Sequence, residues 1–167
     1  MRLFIAIEFD EAFLQPLIDL QEDMRSLGVG GNYTKRENLH LTLAFIGDYG
    51  DPGAVLDAMG EAAFQPFPIR LHGVGSFGDL FWVGLEKNEE LMKLVKRLRR
   101  ALACQGIPFD RKRFSPHITI IRKTSYRGGE AIPVTEPPYG HMTVGRISLM
   151  RSDRGKNGMI YTELGSV

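Results

Sequence analysis

Cysteine is nearly absent from this chain. Of 167 residues only Cys104 is cysteine, which excludes an internal disulfide, and no Cys-x-x-Cys pair exists to frame a zinc site. No apolar run approaches the roughly 18 residues that a membrane helix needs, so no membrane association is expected. The apolar start of MRLFIAIEFDE soon meets Glu8, Asp10 and Glu11, unlike a secretory signal. These absences lead us to expect a reducing, cytoplasmic location. An excess of one charge is also missing: 21 Lys and Arg stand against 20 Asp and Glu, for a net charge of +1. Proteins that grip long duplexes carry a clear basic excess, so any contact with nucleic acid is expected to be local. No linker or low-complexity tract divides the chain. Its length suits one domain, 1–167, built as two lobes around a shared core.

What is present is a repeat. Leu3 to Phe9 is apolar and β-prone. Asp10 suits the N-cap of a helix over EAFLQPLIDLQEDMRSLG, with Leu14, Leu17 and Ile18 at helical spacing. Pro16 suggests that the regular helix starts near it. Gly28 to Gly31 reads as a loop, and Leu39 to Ile46 as a strand. The order then recurs: Leu80 to Leu85 as a strand, Asn88 to Gln105 as a helix, Pro116 to Lys123 as a strand. Asn88 is the expected cap, and Leu91, Leu94, Val95, Leu98 and Leu102 form one apolar stripe. The two copies, around 3–47 and 80–123, align without a gap. One offset, 117 − 40 = 77, links His40 to His117, Thr42 to Thr119, Leu3 to Leu80, Phe4 to Phe81 and Leu14 to Leu91. Such an offset predicts two lobes related by a pseudo-two-fold axis. A short helix from Asp51-Pro52 to about Phe64, β-like stretches over Phe67 to Phe77, Met142 to Met150 and Met159 to Leu164, and a loop from Ser125 to Pro138 complete the pattern. The expected fold is α+β, with antiparallel sheets lining a central cleft and helices outside.

Chemistry concentrates in the two histidine strands. Side chains alternate along a strand, so His40 shares a face with Thr42, and His117 with Thr119. Two imidazoles across a cleft supply a base and an acid at neutral pH, each contributing about 10²–10⁴-fold in rate. Threonine hydroxyls can donate to phosphate oxygens as charge develops. A lone His-x-Thr carries little weight, since His141-Met142-Thr143 matches too. Shifted back by 77, however, His141 lands on Phe64; it and His72 are read as structural or surface histidines.

The stretches LHLTLAFIG (39–47) and FSPHITIIR (114–122) resemble the paired signatures of the two-histidine (2H) phosphoesterase superfamily. Within it they are most similar to the RNA 2′,3′-cyclic phosphodiesterases, also called 2′-5′ RNA ligases. MRLFIAIEF, Gly73 to Phe77, LFWVGLE and the stretch before Tyr161 extend the likeness over most of the chain. The resemblance implies His40 as general acid and His117 as general base, with Thr42 and Thr119 on phosphate oxygens. The product is a 2′-phosphomonoester, and reversal with a 5′-hydroxyl gives 2′-5′ ligation. It implies no metal and no cofactor. The implied partner is an RNA end, tRNA fragments included, met by a monomeric chain. Arg122 matches the pattern five residues after His117, although strict alternation turns it away from that histidine unless a bulge intervenes. Phe114 and Tyr161 are candidates for base stacking, and Lys35 and Arg36 for backbone contact. The basic run Lys93 to Arg100 reads as a solvated helix face. Members of the family carry an aromatic shortly before the first motif, near Tyr33 here, and its displacement would alter base preference. Two alternatives stand beside this reading: an RNA-end-binding module without catalysis, and a phosphodiesterase for a small cyclic nucleotide.

Overall fold

The computed structural model describes residues 1–129, 131–134 and 136–167. Strand β1 (Arg2–Glu8) leads into helix α1 (Glu11–Ser26), strand β2 (Gly30–Tyr33), a 3₁₀ turn (Arg36–Asn38) and strand β3 (His40–Asp48). Helix α2 (Pro52–Glu61) and strand β4 (Phe67–Phe77) follow. Next come β5 (Leu80–Leu85), α3 (Glu89–Cys104), β6 (His117–Ser125), β7 (His141–Val144), β8 (Ser148–Gly155) and β9 (Gly158–Ser166). The strands form a four-stranded sheet, β3-β1-β8-β9, and a five-stranded sheet, β2-β6-β5-β4-β7, with every pairing antiparallel. This is the expected α+β architecture.

Local sequence explains the helix starts. The Asp10, Asp51 and Asn88 side chains each accept a backbone N–H three residues on, from Phe13, Ala54 and Leu91, at 2.9, 3.1 and 3.0 Å. Pro52 follows its cap as the first helical residue, where its missing N–H costs nothing. Three expectations need correction. Helix α1 begins at Glu11 and runs through Pro16. The Asp10 cap and the burial of Phe13, Leu14 and Leu17 hold the first turn despite the lost hydrogen bond. The stretch expected as a loop at 28–31 already enters a strand at Gly30, whose partner Ser125 lies on β6. The single β-like run 142–150 is two strands in different sheets, separated by 145–147, because β7 pairs with β4 and β8 with β1. Of the expected loop at 125–138, Ser125 ends β6. Its described remainder holds no helix or strand, and Glu130 and Thr135 lie outside the described residues.

Both copies of the repeat close as an antiparallel strand pair, β1 with β3 and β5 with β6. Their helices are exchanged. Helix α1 crosses to the five-stranded sheet, where the buried Gln21 donates through Nε2 to the carbonyls of Thr34 and Ile120 at 2.8 and 3.2 Å. Helix α3 packs against α2 and β3, and α2 against β8 and β9, all strands of the four-stranded sheet. One continuous cluster, from Leu3, Ile5 and Ile7 through Leu41, Val83 and Leu94 to Ile118 and Leu149, joins the halves. Nearly all the apolar positions of the repeat lie in it, and their removal from water is the main driving force for this arrangement.

Candidate active site

Strands β3 and β6 belong to different sheets, yet they approach within 8 Å between Cα atoms. Each begins with its histidine. In β3 the pattern is half-buried His40, buried Leu41, half-buried Thr42, buried Leu43; in β6 it is the same for His117, Ile118, Thr119 and Ile120. The aliphatic faces enter the core, so the imidazoles and hydroxyls face the space between the sheets.

Alternation then breaks at the same point in both strands. Across β1–β3, Ile5 pairs with Ala44 and Ala6 with Thr42, which leaves Leu43 as an extra residue. Across β5–β6, Phe81 pairs with Ile121 and Trp82 with Thr119, leaving Ile120. Leu43 and Ile120 are separated by the repeat offset. A bulge of one residue shifts the side-chain phase beyond it. Leu43 and Ala44 are therefore both buried, as are Ile120 and Ile121, and the next residues, Phe45 and Arg122, emerge on the histidine side. This answers the phase problem posed by Arg122. It also adds Phe45, which is 54% exposed; the offset that pairs it with Arg122 was the signal that marks it.

The imidazoles are oriented by one repeated device. His40 Nδ1 lies 2.6 Å from the Asn38 carbonyl, and His117 Nδ1 lies 2.8 Å from the Ser115 carbonyl. A carbonyl only accepts, so each Nδ1 carries the proton and each Nε2 keeps a lone pair for chemistry. Asn38 is itself fixed, 8% exposed, with Nδ2 donating to the Met159 carbonyl at 2.9 Å.

The surroundings of the two rings differ. His40 sits deep, with Phe4 at 5.0 Å and Tyr161 edge-on at 5.3 Å between centroids, and its Nε2 is 2.8 Å from Thr42 Oγ1. Burial, opposed by the Asn38 hydrogen bond and reinforced by the charges of Arg122 and His117, holds the His40 pKa below its ordinary 6.5. In that neutral state the Thr42 hydroxyl donates to Nε2. His117 meets Phe77 edge-on at 5.2 Å. The strand pairings also slip by one residue between the copies, so His40 faces Glu8 whereas His117 faces the bare backbone of Gly84.

The remaining candidates distribute as follows. Tyr161 on β9 joins Phe4 beside His40. Phe114 packs on the core cluster and lines a cavity of about 440 Å³ with Leu91, Met92 and Arg113, at the start of α3. Arg36 is ion-paired with Glu11, and Lys35 is exposed. Tyr33 is turned toward α1: its hydroxyl donates to the Val29 carbonyl at 2.6 Å, and the Arg25 guanidinium lies 4.1 Å over its ring. His72 and His141 are exposed. Among the described residues no group of three or more His, Cys, Asp or Glu side chains converges on a point that could hold a metal ion.

Comparison with known proteins bears on the family and the fold. Residues 16–156 match the model of the 2′-5′ RNA ligase superfamily. The chain is 31% identical to the RNA 2′,3′-cyclic phosphodiesterase of Thermotoga maritima, covering 98% of this chain and 93% of that protein. It is 28% identical to the enzyme of the same name from Archaeoglobus fulgidus, covering 98% of each. Among solved structures, apo LigT of E. coli superposes with a TM-score of 0.84 at 27% identity, covering 99% of this chain and 95% of that one.

Proposed function

This chain belongs to the 2′-5′ RNA ligase superfamily, and from that membership we propose that it opens 2′,3′-cyclic phosphates at RNA ends to give 2′-phosphomonoesters. The observation that carries this reading is the matched pair of imidazoles, each pinned through Nδ1 and each presenting Nε2 between the sheets. Water attacks phosphorus opposite the 3′-oxygen and gives a proton to His117 Nε2. The P–O3′ bond breaks, and the leaving 3′-oxygen takes a proton from His40 Nε2. Thr42, Thr119 and Arg122 hold the non-bridging oxygens, whose charge grows as the transition state forms. With a 5′-hydroxyl in place of water the same exchange forms a 2′-5′ linkage.

His40 must carry a proton to act as the acid, although its burial disfavours it. The anionic phosphate supplies the missing counter-charge, so binding of substrate raises the proton affinity of His40. Protonation also ends the bond that the Thr42 hydroxyl donates to Nε2. Nε2–H is then available to the leaving 3′-oxygen, and the hydroxyl proton is free to turn to a phosphate oxygen. The acid and one phosphate donor are thereby readied together.

We assign these roles to a single domain, 1–167, with lobes around 3–47 and 80–123. It acts as a monomer on RNA ends, tRNA fragments among them, in the cytoplasm. No helix is long and apolar enough to cross a membrane. The test is turnover of an oligonucleotide ending in a 2′,3′-cyclic phosphate, with chelator present, by the parent protein and the His40→Ala and His117→Ala variants. Each replacement should lower kcat by about 10²–10⁴-fold. Full activity in both variants would refute the assignment.

A further inference from the structure

The chemistry proposed above leaves the aromatic group around His117 without a task. Trp82 stands directly opposite Thr119 on the β5–β6 ladder, so its side chain emerges on the face that carries His117. The indole lies across that face because two positions beside it lack a side chain. A Cβ on Gly75 would collide with Cζ2 and Cη2, and one on Gly84, the ladder partner of His117, would stand 3.2 Å from Cζ3. Phe77 leans on this surface, 5.2 Å from Trp82 and 5.2 Å from His117. It occupies the last ladder pair before the Gly78-Asp79 turn and is 48% exposed, so one χ1 rotation would lift it away. Beneath lies an unfinished polar contact. Trp82 Nε1 is buried and has no hydrogen-bond partner among the described residues, an arrangement that proteins seldom keep.

We propose that Trp82 and Phe77 form a stacking subsite for the base of a second nucleoside, the one that presents its 5′-hydroxyl to His117 in forming or cleaving a 2′-5′ linkage. The assignment rests on the role given to His117 in the proposed function. A hydroxyl that takes the place of water beside that imidazole brings its nucleoside to the His117 side of the phosphate. In this reading the base of the cyclic phosphate takes the other side, by Phe45 and Tyr161, with buried Phe4 behind them. An indole face accepts any base, because every base has a π-face. Two aromatic platforms with one phosphate between them make a cleft of dinucleotide size.

Trp82 is the sole tryptophan, so its emission reports directly on the subsite. In the His40→Ala variant, in which turnover is slowed by about 10²–10⁴-fold, the 2′-5′-linked dinucleotide of adenosine should quench that emission strongly. Adenosine 2′-monophosphate should quench it weakly, and inorganic phosphate not at all. Equal quenching by the monophosphate and the dinucleotide would overturn the proposal, since the platform would then read the base of the cyclic phosphate. Binding of the dinucleotide by calorimetry without quenching would also overturn it, as would no binding at millimolar concentration. In kinetics, Trp82→Phe and Phe77→Leu should lower the ratio of kcat/KM for the dinucleotide to that for adenosine 2′,3′-cyclic phosphate by about tenfold. Equal losses on both substrates would count against a second-nucleoside role. Should the parent protein turn over neither substrate, the phosphodiesterase reading fails, while the emission titration still decides the subsite.

Discussion

Phe45 and Arg122 stand 77 residues apart, each just beyond a bulge, and both emerge on the side of His40 and His117. The repeat has thus kept its backbone geometry while one copy carries an aromatic face and the other a cation. A guanidinium facing the phosphate stabilises charge as it develops. Arg122→Gln should therefore lower kcat on a cyclic phosphate end by about 10²-fold, with little change in Tm. Phe45→Ala should act on KM, raising it about tenfold while kcat holds. Steady-state kinetics on both variants check the split, and a kcat loss confined to Phe45→Ala would reverse the assignment.

The depressed His40 pKa gives a signature in activity. If His40 donates its proton from the free enzyme, the descending limb of kcat/KM against pH lies on the acid side of 6.5. Arg122 is one of the charges that push that proton off. In Arg122→Gln the limb should move to higher pH, even though the maximum is lower. A limb that stays in place would show that it belongs to another group.

The same shift has a consequence for stability. Folded His40 binds a proton less readily than the unfolded chain, whose value is near 6.5. Below that pH the unfolded state takes up more protons, so stability falls as pH drops through 6.5 toward the folded value. Above 6.5 the contribution of the neutral ring is fully present. Thermal melts between pH 5 and 8, values that flank the ordinary histidine pKa, should show this decline. The decline should flatten in His40→Gln and should weaken when inorganic phosphate fills the site.

Asn38 should behave as a positioning residue. Its carbonyl holds His40, and its side chain ties the turn to the Met159 carbonyl on β9. Asn38→Ala leaves that carbonyl without its donor, at about 1–3 kcal/mol, and loosens the turn that aims the imidazole. The expected outcome is a fall in kcat with KM nearly unchanged, together with a pH limb displaced from that of the parent. Loss of Tm alone, with kcat and pH profile intact, would make Asn38 merely structural.

Gln21→Ala probes the exchange of helices. The buried amide satisfies the carbonyls of Thr34 and Ile120 at once. Its removal should cost about 2 kcal/mol, a fall in Tm of roughly 4–8 °C. Any loss of activity should follow from destabilisation, so kcat measured well below Tm should stay near the parent value.

Much of this was legible in the sequence because it is written in local chemistry. Helix caps at Asp10, Asp51 and Asn88, the terminal turns, and alternation around His40 and His117 follow from neighbouring residues. The 77-residue offset carried the pairing of the histidines. What escaped depends on partners far along the chain. The bulges at Leu43 and Ile120 depend on pairing with β1 and β5, so the orientation of Arg122 and Phe45 could not be read from alternation. Pro16 looked like a helix start because its cost is local, whereas the burial that offsets it is tertiary. The split of 142–150 into β7 and β8 likewise depends on which sheets receive each half. Trp82 and Phe77 lie on an unremarkable β-hairpin until the ladder sets them beside Thr119 and His117.

The crossing of α1 onto the five-stranded sheet links residues separated by 99 positions, Gln21 and Ile120. Closure over such a span comes late and slowly, because chain entropy is lost before the distant contacts repay it. Neither repeat finishes a sheet-and-helix unit from its own residues, so a fragment ending between α2 and β5 would lack the surface that α1 covers. The reactive geometry is accordingly a property of both repeats together: a fragment that holds only one of them has no half-active form.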